Sequence, residues 1–168
     1  LDKTHILVCE DNNINSQIAQ ELLMKKGCIV DIASDGQIGV DMFNASEEGF
    51  YDAILMDVQM PEMDGYQATH IIRNELHSDL PIIALTASVV RSDIEKCLQA
   101  GMNAYIPKPF SARELLTGIS NLLKRYPEVS SLERPQKEII AETVTRNQQY
   151  QWINLEHLHE LVAGDAVQ

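Results

Sequence analysis

Side chains able to do chemistry recur at one kind of place in this sequence, immediately after a short apolar run. Glu10 and Asp11 follow Ile6-Leu7-Val8-Cys9, Asp57 closes Ala53-Ile54-Leu55-Met56, Thr86 closes Ile82-Ile83-Ala84-Leu85, and Lys108 stands between Pro107 and Pro109 after Tyr105-Ile106. Carboxylates within a few ångströms raise one another's pKa unless a cation intervenes. An oxygen-only set of this kind suits a hard divalent ion, Mg2+ first. A carboxylate can also attack phosphorus as a nucleophile, forming an aspartyl phosphate, a reaction that needs in-line placement and neutralisation of the equatorial oxygens. Part of that charge would fall to Mg2+, part to Lys108, and Thr86 could donate a hydroxyl hydrogen bond. Each residue also has a plainer reading: Glu10 and Asp11 as caps of the helix that follows, Asp57 as a turn residue, Lys108 as a loop lysine facing water.

Positioning these groups falls to elements whose pattern is readable. Five apolar runs predict strands: His5 to Cys9, Cys28 to Ala33, Ala53 to Asp57, Ile82 to Thr86 and Asn103 to Ile106. Most are continuous rather than alternating, as in strands buried on both faces of a parallel sheet. Between them lie segments of helical period. The first carries Ile14, Ile18, Leu22 and Leu23 on one face, begins at Asn12 or Asn13 and stops at Lys25-Lys26-Gly27; the second spans about Asp35 to Asn44. The third has Ala68, Ile71, Ile72 and Leu76 after Asp64-Gly65, the fourth Val90, Ile94, Cys97 and Leu98 before Gly101, and the fifth opens on a capping box, Ser111 with Glu114. Five βα units in succession predict an α/β fold, a doubly wound five-stranded parallel sheet with right-handed crossovers. Ligands in such folds bind outside the carboxyl ends of the strands, where these polar groups fall.

The chain has 168 residues, 13 basic against 25 acidic, and a formal net charge of −12. That balance argues against a basic nucleic-acid footprint or a polybasic membrane surface. Cys9, Cys28 and Cys97 lie far apart with no C-x-x-C spacing, which reads as reduced core thiols in a cytosolic protein. No apolar run approaches the roughly 20 residues of a membrane span, and no leader pattern precedes the first strand. The chain opens on Leu1, which reads as a segment of something longer. No glycine-rich phosphate loop follows the first strand, so nucleotide binding has little support.

Taken together these motifs resemble the receiver domain of two-component response regulators and hybrid sensor histidine kinases over about residues 3–125. The resemblance rests on Ile6-Leu7-Val8 with Glu10-Asp11-Asn12, on Leu55 to Pro61 with Met63-Asp64-Gly65, on Pro81 to Ala87, and on Tyr105-Ile106-Pro107-Lys108-Pro109-Phe110. It implies that Asp57 is the phosphoacceptor, taking its phosphoryl group from a phosphohistidine of a kinase or a histidine phosphotransfer domain. Glu10, Asp11, Asp57 and the backbone carbonyl of Gln59 would hold Mg2+, and Lys108 would bind the phosphoryl group. Thr86 and Tyr105 would be the switch pair, acting on the face of the fourth helix, fifth strand and fifth helix, and Gln59 and Ser88 would tune the lifetime of the acyl phosphate. The peptide bond from Lys108 to Pro109 is expected to be cis. Residues 126–152 read as a linker, and 153–168 as a short helical segment resembling the start of a histidine phosphotransfer domain, with Leu155, Leu158, Leu161 and Val162 on one side. His157 and His159 read as surface residues there. The parent would be a cytoplasmic or elsewhere-anchored hybrid kinase. Two other readings stay open: an aspartate-nucleophile phosphatase, which would want a second Asp where Gln59 stands, and an interaction module that uses only the fold.

Overall fold

A strand covered on both faces is apolar along its length, and in the computed structural model, which describes residues 1–127, every residue of β3 (Ala53–Asp57) and β4 (Ile82–Thr86) is buried, the polar Asp57 and Thr86 standing only at their carboxyl ends. With β1 (His5–Cys9), β2 (Ile29–Ala33) and β5 (Ala104–Pro107) they form a parallel sheet in the order β2-β1-β3-β4-β5. The helices α1 (Asn13–Met24), α2 (Gly36–Ala45), α3 (Gly65–Asn74), α4 (Arg91–Ala100) and α5 (Ala112–Arg125) alternate with the strands, giving the expected doubly wound α/β fold. Strand alternation sorts the core. Ile6, Val8, Leu55, Ile83, Leu85 and Ile106 pack against α1 and α5, while Leu7, Ile54, Met56, Ile82 and Ala84 pack against α2, α3 and α4.

The helix ends follow local chemistry. Asn12 caps α1 by accepting from the Ile14 and Asn15 N–H groups, Asp35 caps α2, and capping boxes open α3 (Asp64 with Gln67) and α5 (Ser111 with Glu114). Gly101, at φ 98°, ends α4 in the left-handed conformation that glycine adopts without a Cβ penalty. The three cysteines are buried and free, and the Lys108–Pro109 bond is cis.

Some expectations need correction. β2 begins at Ile29 rather than Cys28, with Ile29 exposed, and β5 spans Ala104–Pro107 rather than Asn103 to Ile106. The core face of α1 is Ser16, Ala19 and Leu23, while Ile14 and Ile18 are 68% and 46% exposed. Val90 is the exposed N-cap of α4 rather than part of its buried face. The linker assigned to 126–152 lies almost wholly, and the helix assigned to 153–168 entirely, outside the described residues. Among the described residues no helix is long and apolar enough to cross a membrane.

Candidate functional site

The order of the strands reverses between β1 and β3: the chain passes from β1 to β2 on one side and then returns to place β3 on the other. A crevice opens where the crossovers diverge. Glu10 and Asp11 leave β1 and Asp57 ends β3 at that crevice, and carboxylate oxygens of the three lie within 4.8 Å of one another. Glu10 and Asp57 are buried and Asp11 is exposed, so the cluster is walled on the protein side and open on the other.

Lys108 reaches in from the far side of β4. Its Nζ donates to Asp57 Oδ2 at 2.8 Å and to Glu10 Oε2 at 3.2 Å. Burial disfavours the ammonium, but the hydrogen bond and charge of Asp57, with those of Glu10, outweigh it and hold the Lys108 pKa above the ordinary lysine value. Glu10 shows the opposite balance. Burial, reinforced by the Asp57 charge, lifts its carboxyl above the usual range despite Lys108 and the Asn12 N–H, which donates to Oε1 at 3.2 Å. Three carboxylates facing one ammonium leave an excess of negative charge, and the donors are all oxygen, which fits a hard divalent cation better than a soft one.

The other expected residues are near but differently engaged. Gln59 donates its N–H to Asp57 Oδ1 at 3.1 Å, so the residue whose carbonyl was expected to face the cation already braces the carboxylate. The Thr86 hydroxyl is turned toward the next loop: it donates to the Ser88 carbonyl at 3.0 Å and accepts from the Ser88 N–H at 3.1 Å, with no bond to Asp57. Tyr105 is buried within the α2/α3/α4 side of the core. Thus Glu10, Asp57 and Lys108 are directly joined, Asp11 shares their cluster, Thr86 is engaged with Ser88, and Tyr105 sits apart on β5, registered with Ala84 of β4.

Reading residue types missed what holds this site from behind. A Cβ on Gly65 would overlap the Asp57 carbonyl oxygen and lie 2.9 Å from Val58 Cα, so only glycine lets the start of α3 come this close to the acidic residue. Asn12 was legible as a cap, but not as the donor to Glu10.

Similar proteins share both the fold and the setting. The model of the response regulator receiver domain matches residues 6–120. The Dictyostelium discoideum hybrid signal transduction histidine kinase L is 42% identical over 125 residues, covering 72% of this chain and 7% of that protein. Probable histidine kinase 2 of Oryza sativa subsp. indica is 38% identical over 138 residues, 74% of this chain and 13% of its own length. The chain therefore spans a small part of these relatives. Among solved structures, the receiver domain of a Pseudomonas aeruginosa sensor histidine kinase, crystallised with a magnesium ion coordinated in its active-site cleft, is 41% identical with a TM-score of 0.65, covering 73% of this chain and 98% of that one. A Francisella response regulator receiver domain gives 28% identity, a TM-score of 0.68, and coverage of 74% and 99%. An acidic crevice at the β1/β3 reversal, on a sheet of this order and with relatives of this kind, leaves one assignment: the chain belongs to the response regulator receiver domain family of two-component phosphorelay systems.

Proposed function

We propose that Asp57 accepts a phosphoryl group from a phosphohistidine of a kinase or a histidine phosphotransfer domain. The observation that carries this reading is the placement of Lys108 Nζ between the buried Asp57 and Glu10 carboxylates, beside the more exposed Asp11. Glu10, Asp11, Asp57 and the Gln59 carbonyl would hold Mg2+, which when bound supplies charge neutralisation for the transferring group. Asp57 presents a carboxylate oxygen in line with the donor's phosphorus–nitrogen bond; as the new P–O bond forms, that bond breaks and the imidazole nitrogen keeps the electron pair. Lys108 then trades part of its contact with Asp57 for the phosphoryl oxygens. Thr86, released from Ser88, would donate to the same group, and Tyr105 on the adjacent strand would follow, altering the face of α4, β5 and α5. Gln59 and Ser88 flank the acyl phosphate and would set how readily water reaches it.

Ile14 and Ile18 give the partner a place to dock. Two exposed isoleucines one turn apart, on the helix that starts beside Glu10 and Asp11, form an apolar strip next to an acidic mouth. We read the chain as a receiver over 3–125, a linker over 126–152 and the start of a histidine phosphotransfer domain over 153–168, within a hybrid histidine kinase whose receiver works in the cytoplasm. Acetyl phosphate with Mg2+ is expected to add one phosphoryl group, seen by intact mass, that EDTA prevents and Asp57→Asn abolishes. An adduct that persists in Asp57→Asn, or none in the wild type, refutes the reading. Steady turnover of a phosphomonoester would instead point to the phosphatase alternative.

A further inference from the structure

α2 supplies none of the side chains at the site, yet its first residue bears on the loop that follows Asp57 and carries Gln59. Between β3 and α3 the chain closes on itself. The Gly65 N–H donates to the Val58 carbonyl at 3.1 Å across the base of the loop, and the Met63 N–H donates to the Pro61 carbonyl at 2.7 Å at its tip, a three-residue turn with Glu62 at φ 64°. Left-handed backbone is disfavoured for glutamate and persists where the surroundings impose it.

Gly36 is part of those surroundings. A Cβ built on it would overlap the Met63 carbonyl oxygen and lie 3.1 Å from the Met63 carbonyl carbon and 3.2 Å from the Asp64 carbonyl oxygen. The obstructing atoms are backbone, so no side-chain rotation relieves the overlap. Two anchors keep Gly36 where it is. Asp35 caps α2, its Oδ1 accepting from the Ile38 N–H at 2.8 Å, and Gly39 seats the helix against Cys9 of β1, the strand that ends at Glu10. The rigid end of α2 therefore abuts the loop that begins at Asp57 and contains Gln59.

We infer that Gly36 is a positioning residue for the cation site: by letting α2 abut the Met63 carbonyl, it holds the 58–65 loop closed and so fixes the Gln59 carbonyl and the brace from Gln59 N–H to Asp57. The inference rests on the proposed cation site of Glu10, Asp11 and Asp57. A role confined to helix packing predicts something else. Alanine favours helix over glycine, and a packing defect lowers the unfolding midpoint without changing the affinity of the protein that stays folded.

The test is calorimetric titration of the whole chain with MgCl2, alongside urea unfolding, for the wild type, Gly36→Ala, Asp35→Ala and Asp11→Asn. Gly36→Ala is expected to weaken Mg2+ binding about tenfold, the scale on which loss of support behind a metal ligand is felt. Asp35→Ala frays the first turn of α2 without adding an atom to the contact; it is expected to weaken binding less, and it decides the matter if Gly36→Ala does not fold. Ile119→Val, in the α1/α5 core, serves as a destabilised control with unchanged affinity. Wild-type affinity in Gly36→Ala, or in Asp35→Ala where that variant decides, while Asp11→Asn loses binding, overturns the role of Gly36 alone. Wild-type affinity in Asp11→Asn overturns the cation site itself, and Gly36 with it.

Discussion

Replacing Lys108 with methionine keeps most of the apolar stem and removes the charge that stands between two buried carboxylates. The Asp57 and Glu10 side chains are 3% and 2% exposed and Lys108 itself 19%, so the loss leaves negative charge in a place where water screens it poorly. Removing one partner of a buried ion pair costs about 3–5 kcal/mol. The partial exposure of Lys108 and the open side of the cluster at Asp11 argue for the lower end, about 3 kcal/mol. A domain of this size loses roughly 0.26 kcal/mol per kelvin near its midpoint, so the metal-free protein should melt about 12 °C lower. Mg2+ changes the comparison. A ligand bound only by the native state stabilises it by mass action, and a divalent charge among the same carboxylates replaces the neutralisation that Lys108 gave, so the variant should gain more from Mg2+ than the wild type does. Urea or thermal unfolding of both proteins, in EDTA and again in excess MgCl2, measures this directly. A deficit of at least ~2 kcal/mol in EDTA that shrinks by ~1 kcal/mol or more in Mg2+ is expected. An equal deficit in both buffers would refute the idea that ammonium and cation compensate the same charge.

Glu10→Gln tests the other half of that balance. Burial and Asp57 raise the Glu10 carboxyl above its ordinary range, so the metal-free native state holds this proton more tightly than the unfolded chain does. The stability tied to protonated Glu10 is therefore fully present below the ordinary glutamate value of about 4.3 and is lost as pH rises through the native value. In EDTA, unfolding midpoints followed upward from about pH 4.3 should fall less in Glu10→Gln than in the wild type, and the variant should be the more stable of the two near neutrality while binding Mg2+ poorly; parallel pH profiles would count against the assignment. Arg73 offers a test away from the site. Its guanidinium donates to the Gly101 carbonyl at 2.9 Å, the Ser78 carbonyl at 2.7 Å and Asn103 Oδ1 at 2.8 Å, tying the ends of α3 and α4 to the start of β5. Arg73→Met should cost about 2–3 kcal/mol through the Gly101 and Ser78 carbonyls left unpaired, Asn103 Oδ1 keeping the Ile82 N–H, with Arg73→Lys recovering less than half because one nitrogen cannot replace three spaced along a planar fork; a urea-measured loss below ~1 kcal/mol would show that the network is slack.

What the sequence made legible, and what it hid, divides along a physical line. Glu10, Asp57, Thr86 and Lys108 could be found because a polar residue closing a continuous apolar run has a place already determined: the run must be a buried strand, and its end must open on the edge of the sheet. The contacts that hold those residues do not work that way. Nothing in Asp35-Gly36 beyond a helix start says which backbone will come against Gly36, since that depends on how far α2 leans toward a loop more than twenty residues away; Gly65 is only eight residues from Asp57, but its approach to that carbonyl depends on how the intervening loop closes. The face of α1 was misread for a related reason. Ile14, Ile18, Leu22 and Leu23 look like a core stripe, and Leu22 and Leu23 do pack inward, but Ile14 and Ile18 do not: the helix meets the core instead through Ser16 and Ala19, small enough for a close approach to the sheet and α5. Hydrophobic period reports that a helix has an apolar stripe without saying what that stripe meets. On α1 Leu22 and Leu23 pack inward while Ile14 and Ile18 face outward beside the acidic mouth, where the domain's own core does not cover them and the proposed phosphoryl donor would.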